Sequence, residues 1–467
     1  MSSYVPKHAK KTVRRSAVAT TAVAAAAALT VATPATANAA ATTPTGNPQV
    51  DAILAAAPLL PGAVPIAVIP QVAPVVNQGV AAWNKIPVIS GLFPVSNTVS
   101  PIAGVTPLAP GWVGFGLSDT FSVGAPLGLG GLSSSTYGVI GTSAAGVGSI
   151  GGNNTTLYGP LGSALGISTS LSATTANGLT TWTPSLGLNA TAPLGLGGAT
   201  ATIVPVTVTY GPNTFLVGLP VINLGLTTPL GGGTLGLNLG QIGFQNGQFV
   251  LVTPSLNGSV TTPLGGGNLN VTPGTVKVGT GGLEAVGPDA TFGATVLGQN
   301  VVNGTIDGGK ATVTPTKVDI DGPNGTITAG PTGAQVKATA DAGNVLVTPT
   351  KVQANGPSGG VDVTTPVGSG GGSATTGSVN VENGVGTVTG PTAEAHASTP
   401  AGTVKAEGST GSGTVDTNKG TASVTGPSGG VETKTAAGDH GVKADTGSAE
   451  VSSDGVSVKD TPSVDAH

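Results

Sequence analysis

Prolines return along this chain at a fixed distance. Positions 184, 220, 254, 288, 323, 357, 391 and 427 form a series with a period of 34 to 36 residues. Five members carry a second proline nine residues later: Pro184/Pro193, Pro220/Pro229, Pro254/Pro263, Pro357/Pro366 and Pro391/Pro400. Partial copies keep only the first, as in Pro288 with Leu297, Pro323 with Thr332 and Pro427 with Ala436, while Pro160 and Pro126 extend the second series backward. A period of this size marks copies of one supersecondary unit that stack because none can bury its own apolar face. Roughly nine or ten repeats span residues 117 to 462.

The pattern inside a repeat is that of strands. "GTLGLNLG" places Leu235, Leu237 and Leu239 on alternate positions, and "GQFVLVTP" does the same with Phe249 and Leu251. Between them Asn246-Gly247 supplies the positive φ angles of a tight hairpin turn, and Asn383-Gly384, Asn418-Lys419-Gly420 and Asp454-Gly455 recur at the same phase. The phrase "TTPLGGG", seen at 227 and again intact at 261, falls where a strand ends: proline stops the ladder and glycine permits the turn. One repeat is therefore expected to hold three short strands, with corners at the glycine run, the Asn/Asp-Gly turn and the Gly-Pro. The fold class expected is all-β, a repeat-built array of short strands arranged as an antiparallel meander or a β-solenoid. A helical repeat of the same period is excluded by the Gly, Thr, Val and Pro content and by the lack of helical spacing.

Four segments follow from composition. Residues 1–39 read as a signal peptide, with Lys7, Lys10, Lys11, Arg14 and Arg15 before an alanine-rich run and Ala37-Asn38-Ala39 as the cleavage site. The general export route is favoured over the twin-arginine one, because "RRSAVAT" lacks the usual bulky apolar residues after the arginines. Residues 40–116 are Pro-rich and apolar. "VDAILAAA" at 50–57 could make two helical turns, and the rest is expected to be an extended strap packed on the protein behind it, because proline at this density breaks helices. Residues 117–300 are apolar Gly/Leu/Thr-rich repeats. Residues 301–467 are polar, acidic Gly/Thr/Val-rich repeats, expected to be weakly packed and partly disordered towards the C-terminus, since two or three valines per unit bury too little to offset backbone ordering.

Charge follows the same gradient. Between 40 and 276 only Asp51, Lys85 and Asp119 are charged. Beyond residue 39 there are 11 Lys and no Arg against 20 Asp/Glu, a net charge of −9. Without guanidinium groups, nucleic acid is not an expected partner. There is no cysteine, which excludes thiol catalysis, cysteine metal sites and disulfides. No further apolar run of about 18 residues stands after the signal, so no transmembrane helix is expected in the mature chain.

Motifs that mimic chemistry read as structure. "GVGSIG" (Gly146, Gly148, Gly151) matches a dinucleotide-binding pattern, but "GNNTTLYGP" follows where a helix should begin. "GTIDGGKA" offers Gly304, Gly309 and Lys310 as a phosphate loop, yet Ala311 stands where a magnesium-binding hydroxyl is required, and a hairpin turn is expected. "GPSGG" at 356–360 and 426–430 resembles a nucleophile elbow without its helix; its repetition at one phase indicates a turn. His396, His440 and His467 are the only candidate bases and lie in the weakly packed rear. Asp319, Asp321 and Asn324 hint at a calcium loop but supply too few oxygens. Asn154-Thr155-Thr156 and Asn257-Gly258-Ser259 are sequons expected in a Thr-rich chain. No catalytic, cofactor-binding or metal residue is assigned.

The expectation is a secreted, non-catalytic structural or surface protein of the cell envelope: a coat, adhesive or spacer. Its partners would be cell-wall or envelope lipid or polysaccharide, and copies of itself. The alternatives are an outer-layer β-barrel pore, for which the aromatic girdles are poor, and an extracellular polysaccharide-acting enzyme, for which the front repeats carry almost no carboxylates.

Overall fold

The computed structural model describes residues 61–105, 113–143, 146–436, 438–453 and 455–467. The export segment and "VDAILAAA" lie outside the described residues, as does Asp454. The described chain is almost entirely antiparallel β, 38 strands in a meander that does not close. The meander, not the solenoid, is the architecture. The chain divides into two compact units, one ending at Pro229 and the other beginning at Leu230.

The first unit opens with helix α1, Ala63–Asn84, and a short helix α2, Pro87–Leu92. Six long strands follow: β1 (Val95–Val105), β2 (Val113–Gly124), β3 (Gly131–Ser143), β4 (Gly146–Tyr158), β5 (Ala164–Ala176) and β6 (Leu179–Thr191). Each pairs antiparallel with the next. Among the described residues, the strap expected from the proline density is extended at β1 and at the start of β2, whereas residues 63–84 are helical despite Pro70 and Pro74 inside them. An interior proline costs a helix roughly 3 kcal/mol through its missing N–H and its ring. Two features offset this. Both rings lie on the exposed side, and Ala63, Ile66, Ile69 and Ala73, at helical spacing, are buried on the opposite side. Ile66 and Ile140 of β3 form the core with Ala63, flanked by Phe115 and Leu117 of β2. The N–H of Gly62 donates to the buried hydroxyl of Ser149 in β4 at 2.6 Å, anchoring the helix start. The helix is also long and apolar enough to cross a membrane by length and composition alone. This corrects the expectation that no such run exists; the prolines had interrupted it in the sequence.

After β6 each pass of the meander becomes two short strands laid end to end. Strand β7 (Gly198–Val204) pairs with the second half of β6, and β8 (Thr207–Gly211) with its first half. Strands β9 (Thr214–Gly218) and β10 (Val221–Thr228) return along β8 and β7. The pairs Thr207↔Gly218 and Val204↔Val221 belong to one register, three residues back on one side and three forward on the other.

The second unit repeats this arrangement over 28 strands. Its first pass is β11 (Gly231–Asn238) with β12 (Gln241–Gln245), and its second is β13 (Gln248–Val252) with β14 (Ser255–Thr262). Moving nine residues from Gly232 to Gln241 moves nine back from Thr261 to Val252, so the break between short strands leaves the ladder in register. The strands corresponding to β14 begin at Ser255, Ala290, Asn324, Ser358, Thr392 and Ser428, at intervals of 34 to 36. A repeat is therefore two antiparallel passes, and it holds four strands, not three.

The error lies at the Gly-Pro. Asn246-Gly247 and Asn383-Gly384 are true hairpin turns with both φ angles positive, 51° and 78° in the first and 50° and 84° in the second. Pro263-Leu264 is likewise a two-residue turn between Thr262 and Gly265, where Thr262 Oγ1 donates to the Gly265 carbonyl at 2.8 Å. At Gly356-Pro357, by contrast, the chain runs straight on. The N–H of Gly356 donates to Gly377 O at 2.8 Å and the N–H of Thr376 to Pro357 O at 3.0 Å, so the ladder crosses the break and loses only the bond proline cannot make. Gly377, on the facing pass, has φ of 93°, and a Cβ there would strike the carbonyl oxygen of Thr389. A positive-φ glycine facing a Gly-Pro makes a crease across the sheet, not a corner. The crease shifts the parity of the apolar residues: Leu235 and Leu237 precede it, Ile242 and Phe244 follow it.

The rear repeats form strands as far as Ala466, although Val250 is the only buried apolar residue of the second unit among those described. Weak side-chain packing is as expected, and the backbone ladder is continuous through these passes.

Candidate functional surface

Residues directly opposite one another in an antiparallel pair project from the same face, so the registers assign every side chain of the second unit to a face. In the row of shorter strands, Phe244 pairs with Phe249, which pairs with Val278, and the series runs on through Leu283, Val313, Val318 and Val347. It continues through Val352, Val381, Gly386, Val415, Ala422 and Val451 to Val456. Two residues along the strands, a parallel column starts at Ile242 and Leu251 and ends at Ala449 and Val458. Each column crosses fourteen passes, and neither holds a polar or charged residue. The face is open: Val278 is 43% exposed, Val352 41%, Val415 52% and Val424 60%.

The other face of this row is polar. Its central column joins Lys277, Glu284, Thr312 and Asp319 and, further on, Gln353, Asn380 and Thr387. Cross-strand ion pairs lie here, with Lys277 3.6 Å from Glu284 and Lys351 3.5 Å from Glu382. The row of longer strands is divided in the same way. Leu235, Gly258, Leu269 and Phe292 lead an apolar column, while His396, Lys405 and Glu432 share the opposite face. There the Lys443 ammonium lies 2.8 Å from the Glu432 carboxylate; its hydrogen bond and charge hold that carboxyl below its ordinary pKa and raise the lysine's own. Such exposed pairs add little stability.

The motifs that imitate sites fall inside this scheme. "GVGSIG" is the first half of β4, and its last glycine, Gly151, is where the backbone of Pro61 approaches the sheet. "GTIDGGKA" spans a crease at Gly308-Gly309, between strands Gln299–Asp307 and Lys310–Thr314, and not the hairpin expected. Both "GPSGG" copies are creases as well, at Pro357 and Pro427. Asp319 and Asp321 lie in one strand, the first 2.8 Å from Lys317 and the second directly opposite Lys310. The sequons at Asn154 and Asn257 are in strands β4 and β14. His396 stands 3.8 Å from Asp362, and His440 and His467 are not brought to it by any pairing. Among the described residues no group of three or more His, Asp or Glu side chains could hold a metal ion. The continuous apolar face was the feature missed, although the alternation in "GTLGLNLG" and "GQFVLVTP" carried part of it.

At the hairpin tips of the first unit, Leu127, Leu161 and Leu194 adopt φ near 57° and stand 93%, 66% and 70% exposed. Leucine in the left-handed region costs roughly 1–2 kcal/mol. Its recurrence in three "PLG" turns adds to the apolar surface this chain displays.

No protein-family model matches the chain, and no curated protein matches it.

Proposed function

We propose that the chain is an exported, non-catalytic structural protein of the cell envelope, a coat or spacer that holds an apolar face against a partner and a charged face to water. The observation that carries this reading is the uncharged face maintained over fourteen passes, opposite a face that bears the ion pairs. An open apolar surface of this extent exceeds what a monomer in water usually shows, and it marks an interaction surface. Export is supported by the basic, alanine-rich start and Ala37-Asn38-Ala39. A pore is less favoured, because a barrel needs a closed sheet and this one is open.

The test is fractionation of producing cells into supernatant, salt-washed wall and detergent extract, with trypsin applied to intact cells. Beyond residue 39, lysine is confined to Lys85 and to positions from Lys277 onward. Recovery in the wall or detergent fraction, with the rear clipped and the front protected, is the expected result. An intact soluble species in the supernatant, or one that never leaves the cytoplasm, contradicts the proposal.

A further inference from the structure

The apolar face of the second unit has a size, composition and charge that together select its occupant. Fourteen passes about 4.8 Å apart, each with a short strand of four to six residues rising about 3.4 Å per residue, give this row a face of roughly 1,000 Å². Contact over half of it by two molecules removes about 1,000 Å² in total, the lower bound of a specific protein interface. The face carries no charge and, behind Leu283, no side chain larger than leucine or isoleucine. Valine columns interrupted by Gly386, Gly413 and alanines alternate ridge with hollow, the relief that lets two sheet faces interdigitate about 10 Å apart.

Other occupants lack a matching chemistry here. A lipid surface is usually met by aromatic or basic residues, and the second unit has no arginine. Its 10 lysines face 18 carboxylates, a net charge of −8 that opposes anionic headgroups. A polysaccharide would want aromatic platforms, and behind Phe244 and Phe249 at its front edge this face has none.

We propose that the shorter-strand row of the second unit docks face to face with the same row of a second copy of this chain. The two polar faces then point outward, and the like charges they carry are separated by two sheets. Because one patch meets itself, the contact closes as a two-fold dimer. The inference rests on the geometry of the face and holds whether or not the chain is exported.

The test uses the purified full chain, which has no cysteine of its own. Sedimentation equilibrium is expected to give the mass of two chains at micromolar concentration. A single cysteine placed by Val352→Cys on the apolar face is expected to react with a maleimide at least tenfold more slowly in concentrated than in dilute protein. Gln353→Cys, on the polar face of the same strand, is expected to react at one rate throughout. The paired change Val347→Lys and Val352→Lys should give a monomer with an unchanged β-sheet spectrum, whereas Leu346→Lys on the polar face should leave the dimer. A monomer whose two cysteines label alike at every concentration overturns the proposal. So does protection of Val352→Cys that appears only on addition of phosphatidylcholine vesicles, which would make lipid the occupant.

Discussion

At the residue scale, glycine does two opposite jobs in this sheet, and substitution separates them. Gly377 lies in the crease at positive φ, with the Thr389 carbonyl where a Cβ would go. Gly386 lies mid-strand in the apolar column, and a Cβ there would sit 3.7 Å from Val381 Cγ2, in ordinary contact. Gly377→Ala is therefore expected to destabilise by about 1–3 kcal/mol, and Gly386→Ala to be neutral or to stabilise by about 0.5–1 kcal/mol. Denaturant titration of the two variants checks this; equal losses would refute the crease. Asp119 of β2 offers a second test. It is partly buried, its Oδ1 has no hydrogen-bond partner, and burial raises its pKa against the smaller opposing effect of the hydrogen bond with Asn97. The folded chain thus holds the carboxyl proton more tightly than the unfolded chain. The contribution of this group to stability is greatest below the unfolded carboxylate pKa of about 4 and is lost as pH rises through the raised value. Asp119→Asn should raise the melting temperature at pH 7 and leave it unchanged at pH 3; a lower value at pH 7 contradicts this account.

At the element scale, α1 shows where local rules yield to packing. Pro70 and Pro74 argue against a helix, and burial of Ile66 and Ile69, at 2% and 1% exposure, reverses the outcome. Ile66→Ala should cost roughly 2–5 kcal/mol, while Val75→Lys, at a position 68% exposed, should cost little; thermal melts followed at Trp83 would distinguish them. The same contest explains what could be read from the sequence. Asn246-Gly247 and Pro263-Leu264 were legible as corners because a two-residue reversal has a distinctive chemistry. Gly356-Pro357 was not legible as a crease, because proline and glycine mark a lost hydrogen bond whether the chain turns back or runs on. The shift in apolar parity between Leu237 and Ile242 was the available signal. The helix over 63–84 was illegible without the sheet that buries one side of it. No site residue was assigned in advance, and the surface that emerged depends on registers that alternation within one strand cannot supply.

At the scale of the whole molecule, a period of 34 to 36 residues is two passes of an open antiparallel meander. The paired columns, the polar and apolar faces and the proposed dimer all derive from it. A solenoid of the same period would stack each residue beside its equivalent one repeat later. Asp319 then neighbours Gln353, 34 residues on, whereas in the meander it faces Leu346 directly and Gln353 lies one pass beyond. A disulfide requires Cα atoms within about 7 Å, which spans one pass and not two. In the chain carrying Asp319→Cys and Leu346→Cys, mild oxidation is predicted to form an intramolecular disulfide, and in the chain carrying Asp319→Cys and Gln353→Cys it is predicted to form none. A bond in the second pair and none in the first would contradict the meander and everything built on it.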